Sequence, residues 1–207
     1  MLISRSRGFT IIELMVGLTL LGVLLMLAMP SFSTMIQNQK LRATADTVLA
    51  GLQTARLEAL KRNQTVEFLL TADAIDPGNY DTFAPNTSGP AWAVRVDTAT
   101  CTSGPVECYV DGKSRLEGTN QSDPTALNVQ IAATSMPGTN TIRFDPMGQS
   151  NVTAANGAWF DITNPAGGTC KAVGGEMRCL RIVVSGSGRV RLCDPAVAPA
   201  PGETRAC

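Results

Sequence analysis

Residues 9–29 read FTIIELMVGLTLLGVLLMLAM, an apolar segment with a single charged side chain, Glu13. About 20 apolar residues in a helix are enough to cross the hydrocarbon core of a bilayer. Arg5 and Arg7 precede the segment with no acidic residue beside them, so the leader, residues 1–8, is expected to stay in the cytoplasm. The segment predicts a single membrane-spanning helix with a cytoplasmic N-terminus.

A cleaved secretory signal is the simplest alternative interpretation of this segment, but it fits poorly. The apolar run is longer than the core of about 7–15 residues that such signals have, and no A-x-A-like cleavage site follows it. The helical pattern also continues beyond Pro30. We therefore expect the segment to be kept in the protein.

Glu13 is unusual in this segment, because a carboxylate at the centre of a spanning helix costs about 2.5–3.5 kcal/mol, and less towards the interface. A charged side chain in such a helix usually has a partner. Cleavage after Gly8 would create a positively charged amine at Phe9, four residues before Glu13. In a filament, Glu13 of one subunit can pair with the amine of the neighbouring subunit.

The stretch RGFTIIEL at positions 7–14 resembles the class III signal of type IV prepilins and type II secretion pseudopilins. The resemblance implies that a prepilin peptidase cuts between Gly8 and Phe9 and that Phe9 is N-methylated. It also implies that Glu13 is the assembly carboxylate. The expected partners are other pilins or pseudopilins, the peptidase and an inner-membrane assembly platform.

The helix is expected to continue beyond the membrane to about residue 63, so that residues 30–63 form its soluble half. Apolar side chains recur in this half at spacings of three and four, which predicts one buried face. The small alanines in this pattern favour packing on strands over the alternative, a coiled coil. The expected buried residues are Leu41, Ala45, Val48, Leu52, Ala55 and Ala59.

Residues 64–207 form short β-branched or aromatic runs that are separated by Gly, Pro, Asn, Ser and Thr. No helical pattern of ten residues separates the runs, which predicts antiparallel sheets and an α+β fold in which the long helix packs on them. Long surface loops are expected at residues 71–90 and 97–126. Strands are expected at residues 65–70, 91–96, 127–131, 141–144, 158–162, 180–184 and 189–192.

The six cysteines all lie in this β-rich part, and the chain contains no histidine. They lack the C-x-x-C spacing of a zinc site, so no metal is expected, and disulfides in an oxidising compartment fit better. Six cysteines allow 15 pairings. Pairing of neighbours is favoured because each pair closes a short loop, and free buried thiols in a cytosolic protein are the alternative. The neighbouring pairs are Cys101/Cys108, Cys170/Cys179 and Cys193/Cys207.

The stretches LQTARLEALKRN (52–63), CLRIVVS (179–185) and GRVRLC (188–193) resemble the GspH/FimT family, whereas residues 71–169 match no motif. The resemblance implies a pilin-like fold with a periplasmic C-terminal domain. The function that it implies is that of a minor pilin of a type IV pilus or a minor pseudopilin of type II secretion, at or near the filament tip.

The G-R-x-R stretch at positions 188–191 is similar to the motif of FimT-type minor pilins that bind DNA during natural transformation. On a strand, Arg189 and Arg191 project from one face while Val190 and Leu192 point to the other. No aromatic residue lies between them in the sequence, so base stacking is not indicated. The alternative is that these arginines protect an edge strand. The residues expected to bind double-stranded DNA are Arg178, Arg181, Gly188, Arg189 and Arg191.

Charge distribution supports a basic C-terminal surface on an acidic body. The chain has no net charge, but residues 64–165 carry four basic and eleven acidic side chains, and residues 166–207 carry six and three. Without histidine, the usual catalytic triads are unavailable, so neither an enzyme nor a cofactor is expected. The alternative function is a pseudopilin that serves protein export and binds no DNA.

Overall fold

The computed structural model describes residues 10–73, 75, 78, 81–89, 91–101, 104–114, 129–155 and 157–207, and leaves out the side chains of residues 27–31, 33, 105, 106 and 166. The chain divides into two compact units, residues 1–36 and 37–207. Helix α1 (Ile11–Arg62) contributes to both. Helix α2 (Pro105–Cys108) is a single turn. The strands are β1 (Val66–Thr71), β2 (Ser88–Gly89), β3 (Ala91–Val96), β4 (Tyr109–Lys113), β5 (Gln130–Thr134), β6 (Thr141–Phe144), β7 (Ala158–Thr163), β8 (Leu180–Val184) and β9 (Val190–Cys193).

In the first unit, α1 exposes a continuous apolar surface in the single chain. Twelve large apolar side chains from Ile11 to Met26 are each more than half exposed. The leader expected at residues 1–8 lies outside the described residues. In the part of the chain that the structure describes, no helix is long and apolar enough to cross a membrane.

In the second unit, α1 buries the expected apolar stripe. Gly51 lies on the same side of the helix, against the ring of Trp92, where a Cβ would come within 2.7 Å of a ring carbon. The helix ends before Asn63, whose left-handed backbone (φ 54°) suits a helix C-terminus. The stripe residues, all fully buried, are Leu41, Ala45, Val48, Leu52, Ala55 and Ala59.

The strands form two antiparallel sheets, which confirms the predicted α+β class. The first sheet has the order β4-β3-β1-β6, and the second has the order β2-β5-β7-β8-β9. The inner residues of both sheets share one apolar cluster with the buried side of α1. In β7, burial alternates along the strand, so Phe160 and Ile162 point inwards, whereas Trp159 and Asp161 lie on the opposite face of the sheet.

Six of the seven predicted strands begin within one residue of an observed strand. One predicted strand is shifted, and two observed strands lie in segments that were predicted to be loops. The strand expected at residues 127–131 is observed at Gln130–Thr134. The loops expected at 71–90 and 97–126 contain β2 and β4, so these two predictions are wrong for those residues. Strand β4 was missed because it is a polar edge strand with a glycine, which lacks the alternation of a half-buried strand.

The cysteines form three disulfides between sequence neighbours, as favoured by the sequence. The Cα atoms of the pairs are 5.9, 5.4 and 5.1 Å apart for Cys101–Cys108, Cys170–Cys179 and Cys193–Cys207 respectively. The third pair joins the end of β9 to the last residue of the chain. This disulfide lies beside Arg181 and Arg191, two of the predicted DNA-binding arginines.

Candidate assembly motif and nucleic-acid interface

The start of α1 is a capping box formed by Thr10 and Glu13. The Glu13 backbone N–H donates to Thr10 Oγ1 (3.2 Å), and Glu13 Oε2 accepts from the Thr10 backbone N–H (3.4 Å) and from Thr10 Oγ1 (3.3 Å). The Glu13 side chain is exposed. Gly8 and Phe9, the residues of the expected cleavage and methylation site, lie outside the described residues.

The outer face of the second sheet brings together side chains from three strands. Register pairs Trp159 with Val183 and Asp161 with Arg181 between β7 and β8, and pairs Val183 with Arg191 between β8 and β9. Paired residues of antiparallel strands project from the same face. Arg181 and Arg191 are therefore neighbours on this face, where they are joined by Trp159 and Asp161.

Arg189 and Arg191 lie on one side of the chain at β9, whereas Val190 and Leu192 pack against the core, as predicted. Arg189 is exposed. Arg191 is half-buried, and its Nη1 and Nη2 donate to the backbone carbonyl of Ala206 (3.3 Å) and to a terminal carboxyl oxygen of the last residue, Cys207 (2.9 Å). Among the described residues, no acidic side chain forms an ion pair with either arginine, so Arg189 keeps an unmatched positive charge, whereas Arg191 is bonded to an oxygen of the last residue, Cys207.

Arg181 is placed on the same face but is already paired. Its Nε and Nη2 donate to the two carboxylate oxygens of Asp161 at 2.6 and 3.0 Å, the bidentate geometry that suits an arginine fork. Its guanidinium carbon also lies 5.1 Å above the centre of the Trp159 ring, within the range of a cation–π contact. Asp161 therefore neutralises the charge that Arg181 would offer to a phosphate.

Arg178 is not brought to this part of the sheet. It precedes β8, whereas the turn before Arg189 follows β8, and a five-residue strand is about 16 Å long. Its side chain is exposed, and its backbone N–H donates to Asn38 Oδ1 (3.0 Å) on α1. The expectation that Arg178 reaches the same surface as Arg189 is therefore not met.

Gly188 has a backbone role in the turn between β8 and β9. Its φ is +75°, and a Cβ at this position would overlap the carbonyl oxygen of Gly148. That carbonyl accepts a hydrogen bond from Nε of Arg56 on α1 (3.0 Å), and the Gly188 N–H donates to the carbonyl of Ser185 (2.8 Å). The glycine of the G-R-x-R stretch is thus required by the close approach of two chain segments.

Two adjoining depressions of about 450 and 380 Å³ lie on this outer face. They share Ala155, Val183 and Arg191, and we call them together the arginine groove. One end is lined by Trp159, Arg181 and Cys207, and the other by Gly186, Ser187 and Arg189. The groove is shallow and combines positive charge with hydroxyl groups, which suits a polyanion better than a compact apolar ligand.

Three features of this face of the second sheet were not predicted from the sequence. Trp159 is an aromatic neighbour of the arginines that the sequence did not reveal, because it is distant in the chain but adjacent in the sheet. Asp161 and the backbone oxygens of the chain's last two residues were also missed. The alternation in β7 shows which of its residues share a face, but the pairing of β7 with β8 is not visible in one sequence.

The described residues contain no group of three or more His, Cys, Asp or Glu side chains that is arranged to hold a metal ion.

The ion pairs of the first sheet are mostly buried. Glu67 accepts from Nε of Arg95 (2.6 Å) and of Arg143 (3.2 Å), and its side chain is 2% exposed. These contacts tie β1, β3 and β6 together.

Comparison with known proteins gives two family matches on this chain. The model of the prokaryotic N-terminal methylation motif matches residues 3–29, and the model of the type II transport protein GspH matches residues 44–188. Arg189, Arg191 and the rest of the chain lie after the second match. No curated protein matches the chain.

Among solved structures, the chain is similar to two crystal forms of the type IV minor pilin FimU from Pseudomonas aeruginosa PAO1. The P21 form is 18% identical, with 78% of this chain and 93% of that chain covered and a TM-score of 0.49. The P65 form is also 18% identical, with 76% and 96% covered and a TM-score of 0.46.

The GspH match covers most of the chain, and it includes the part of α1 from Thr44 onwards, the strands β1 to β8 and the turn to Gly188. The methylation motif covers residues 3–29, which include the Thr10–Glu13 capping box. The chain therefore belongs to the GspH family of pilin-like type II transport proteins.

Proposed function

We propose that the chain is a minor pilin or minor pseudopilin that is cleaved between Gly8 and Phe9, methylated at Phe9 and assembled into a filament. Before assembly it is anchored in the bacterial inner membrane by residues 9–29, with its C-terminal part in the periplasm. The observation that carries this proposal is the methylation motif joined to a GspH domain in one chain. The role is structural and not enzymatic.

The apolar surface of α1 supports the proposal, because exposed apolar area of this extent marks a membrane or protein contact. Glu13 lies among these side chains. Its Oε2 is used by the capping box, and its second carboxylate oxygen can accept a hydrogen bond from the Phe9 amine of a neighbouring subunit. One carboxylate can thus cap its own helix and bind the next subunit.

Processing is tested by mass spectrometry of the mature protein from its native host. We expect a chain that begins at a methylated Phe9, and a mature chain that still begins at Met1 would overturn the proposal.

Assembly is tested with Glu13→Ala, which we expect to remove the protein from sheared filaments while its membrane level is unchanged. Thr19→Ala, a loss of a polar group in the same helix, is the control and should incorporate normally.

A second function, binding of double-stranded DNA for natural transformation, is favoured by the exposed charge of Arg189 and by its neighbour Arg191 in the arginine groove. Arginine forks suit phosphate geometry, and each neutralised phosphate releases counterions. We expect binding that is weak, independent of sequence and sensitive to salt. Arg181 contributes less to this binding, because Asp161 neutralises it.

DNA binding is tested by gel retardation of duplex DNA with the full-length chain in detergent at low salt. We expect Arg189→Ala/Arg191→Ala to lose retardation and to keep the thermal unfolding profile of the wild type. Lys40→Ala/Lys171→Ala removes two exposed positive charges elsewhere and should retain retardation. Equal retardation by the arginine variant and the wild type would rule out this interface.

A pseudopilin that serves protein export and binds no DNA is the alternative function, and the family match is compatible with both. A gene deletion distinguishes them. Loss of DNA uptake or of twitching motility indicates a pilus role, whereas loss of protein secretion indicates the alternative.

A further inference from the structure

Trp159 is a large aromatic side chain that lies among small ones on the outer face of the second sheet. Its register partners are Thr134 on β5 and Val183 on β8, and Ala155 lines the same depression of the arginine groove. Trp159 is half-buried, whereas Trp92, the chain's other tryptophan, is 5% exposed. The ring of Trp159 is therefore partly open to the groove, and the ring of Trp92 belongs to the core.

The guanidinium of Arg181 is a second planar group at this end of the groove. It lies 5.1 Å from the centre of the Trp159 ring, and its two hydrogen bonds to Asp161 fix its orientation. Trp159 and Arg181 both line the depression of about 450 Å³. Aromatic rings and arginine guanidinium planes are the groups on which proteins stack unpaired bases, so this end of the groove carries both of them.

The two ends of the groove differ in charge. At the end that Trp159 lines, Arg181 is matched by the carboxylate of Asp161. Arg191, which both ends share, already donates to two backbone oxygens. At the other end, Arg189 is exposed and is accompanied by serine hydroxyls. A nucleotide has the same division, because its base is uncharged and its phosphate is an anion. The aromatic end therefore suits a base, and the Arg189 end suits the adjoining phosphate.

We propose that the Trp159 end of the arginine groove binds an unpaired base of single-stranded DNA by stacking, while Arg189 contacts the adjoining phosphate. The phosphate contact rests on the proposed DNA-binding function. In a duplex, each base is stacked between its neighbours, so Trp159 acts only on a single strand or on a frayed end. Stacking tolerates any sequence, because every base has a π-face. The site thus adds to the binding of single-stranded DNA a contribution that duplex DNA lacks.

The test measures binding of the full-length chain in detergent to oligo(dT) of about ten nucleotides and to an abasic oligomer of the same length. The abasic oligomer has the same phosphates but no bases. We expect the wild type to bind oligo(dT) about fivefold to thirtyfold more tightly than the abasic oligomer. Oligo(dT) should also quench the tryptophan fluorescence, because a stacked base contacts Trp159. Equal affinities for the two oligomers would overturn the proposal.

Two substitutions of Trp159 separate stacking from packing on the sheet. Trp159→Leu keeps an apolar side chain but removes the ring, and we expect it to bind the two oligomers equally. Trp159→Phe keeps an aromatic ring and should retain most of the difference in affinity. Its fluorescence should not respond to oligo(dT), because only the buried Trp92 remains.

A Trp159→Leu variant that still prefers oligo(dT) to the same extent as the wild type would contradict stacking on the ring. Equal losses in Trp159→Leu and Trp159→Phe would do so too, because they would assign the effect to packing of the indole. Thermal unfolding profiles verify that both variants fold. The comparison of the two oligomers on the wild type needs no variant, so it decides the matter if Trp159→Leu does not fold.

Failure of this proposal and failure of the proposed DNA-binding function give different results. If the wild type retards duplex DNA but binds oligo(dT) and the abasic oligomer equally, only the stacking proposal fails. If it binds neither duplex DNA nor oligo(dT), both fail. If it prefers oligo(dT) to the abasic oligomer but does not retard duplex DNA, stacking holds and the duplex-binding function fails.

Discussion

At the scale of single residues, the outer face of the second sheet separates two kinds of arginine. Arg181 has a bidentate partner in Asp161, and both side chains are about 30% exposed. Arg189 is exposed and has no acidic side-chain partner among the described residues, whereas Arg191 donates to the backbone oxygens of Ala206 and of the last residue, Cys207. Charge that is matched by a neighbouring carboxylate attracts a polyanion much less than unmatched charge at the same distance.

Substitution of Asp161 by Asn should therefore increase DNA affinity. The change keeps the shape of the side chain and frees the charge of Arg181 beside Arg191. We expect the Kd for duplex DNA at low salt to fall by about threefold to tenfold. Glu176→Gln, which removes an exposed acidic group elsewhere in the C-terminal part, is the control with the same change in net charge. An equal gain in the control would indicate a general charge effect and not release of Arg181.

Gly188→Ala should destabilise the second unit, because the residue has a positive φ and a Cβ would overlap the Gly148 carbonyl. We expect the free energy of unfolding to fall by at least about 2 kcal/mol, measured by chemical denaturation. Gly138→Ala is the control, since no atom lies within 4 Å of the added Cβ. A Gly188→Ala variant with normal stability and reduced DNA affinity would instead indicate that the glycine contacts DNA.

At the scale of elements, the C-terminal end of α1 is stabilised by charged side chains that donate hydrogen bonds to the carboxylate of Glu58. The pKa of Glu58 is lowered because Arg62, and then Lys61, donates a hydrogen bond to its carboxylate at 2.7 and 3.0 Å. Lys61 is largely exposed, so its ion pair with Glu58 contributes little to stability. Arg62 also donates a hydrogen bond to the carbonyl of Glu107. The pair of Glu58 and Arg62 therefore connects the end of α1 to α2.

Glu58→Gln should lower stability at neutral pH but not in acid. A carboxyl whose pKa is lower in the folded state than in the unfolded state stabilises the fold above the unfolded value of 4.5. That contribution is lost as the pH falls through the folded value. We expect the variant to be about 0.5–1 kcal/mol less stable at pH 7 and equal to the wild type in strong acid, by unfolding across this range. A difference that is independent of pH would show that Glu58 acts through packing.

Elements whose apolar residues repeat with a regular period could be predicted from the sequence. Elements that depend on pairing with a strand distant in the chain could not. The stripe from Leu41 to Ala59 was predicted because a helix repeats its buried face every three or four residues. Strand β4 was missed because its polar residues are held at the sheet edge by β3, which is a tertiary effect. Trp159 was missed as a neighbour of Arg191 for the same reason.

At the scale of the whole molecule, the chain has no net charge, so a long-range attraction to DNA is not expected from its total charge. Residues 64–165 are acidic and residues 166–207 are basic. Of these two parts, the C-terminal one carries the net positive charge that can attract a polyanion, and within it the unmatched charges are few. The number of phosphates that the protein neutralises should therefore be small.

The small number of neutralised phosphates leads to a quantitative prediction of how DNA affinity depends on salt concentration. If only Arg189 and Arg191 neutralise phosphates, the slope of log K against log salt is about −1.8 for duplex DNA, since each contact contributes about −0.9. Affinity should then fall by about tenfold between 50 and 200 mM salt. Arg189→Ala/Arg191→Ala should reduce the slope towards zero, whereas Lys40→Ala/Lys171→Ala should leave it unchanged. A slope near −5 would mean that DNA contacts a far larger surface than the arginine groove, because charges outside the groove would then have to neutralise most of the phosphates.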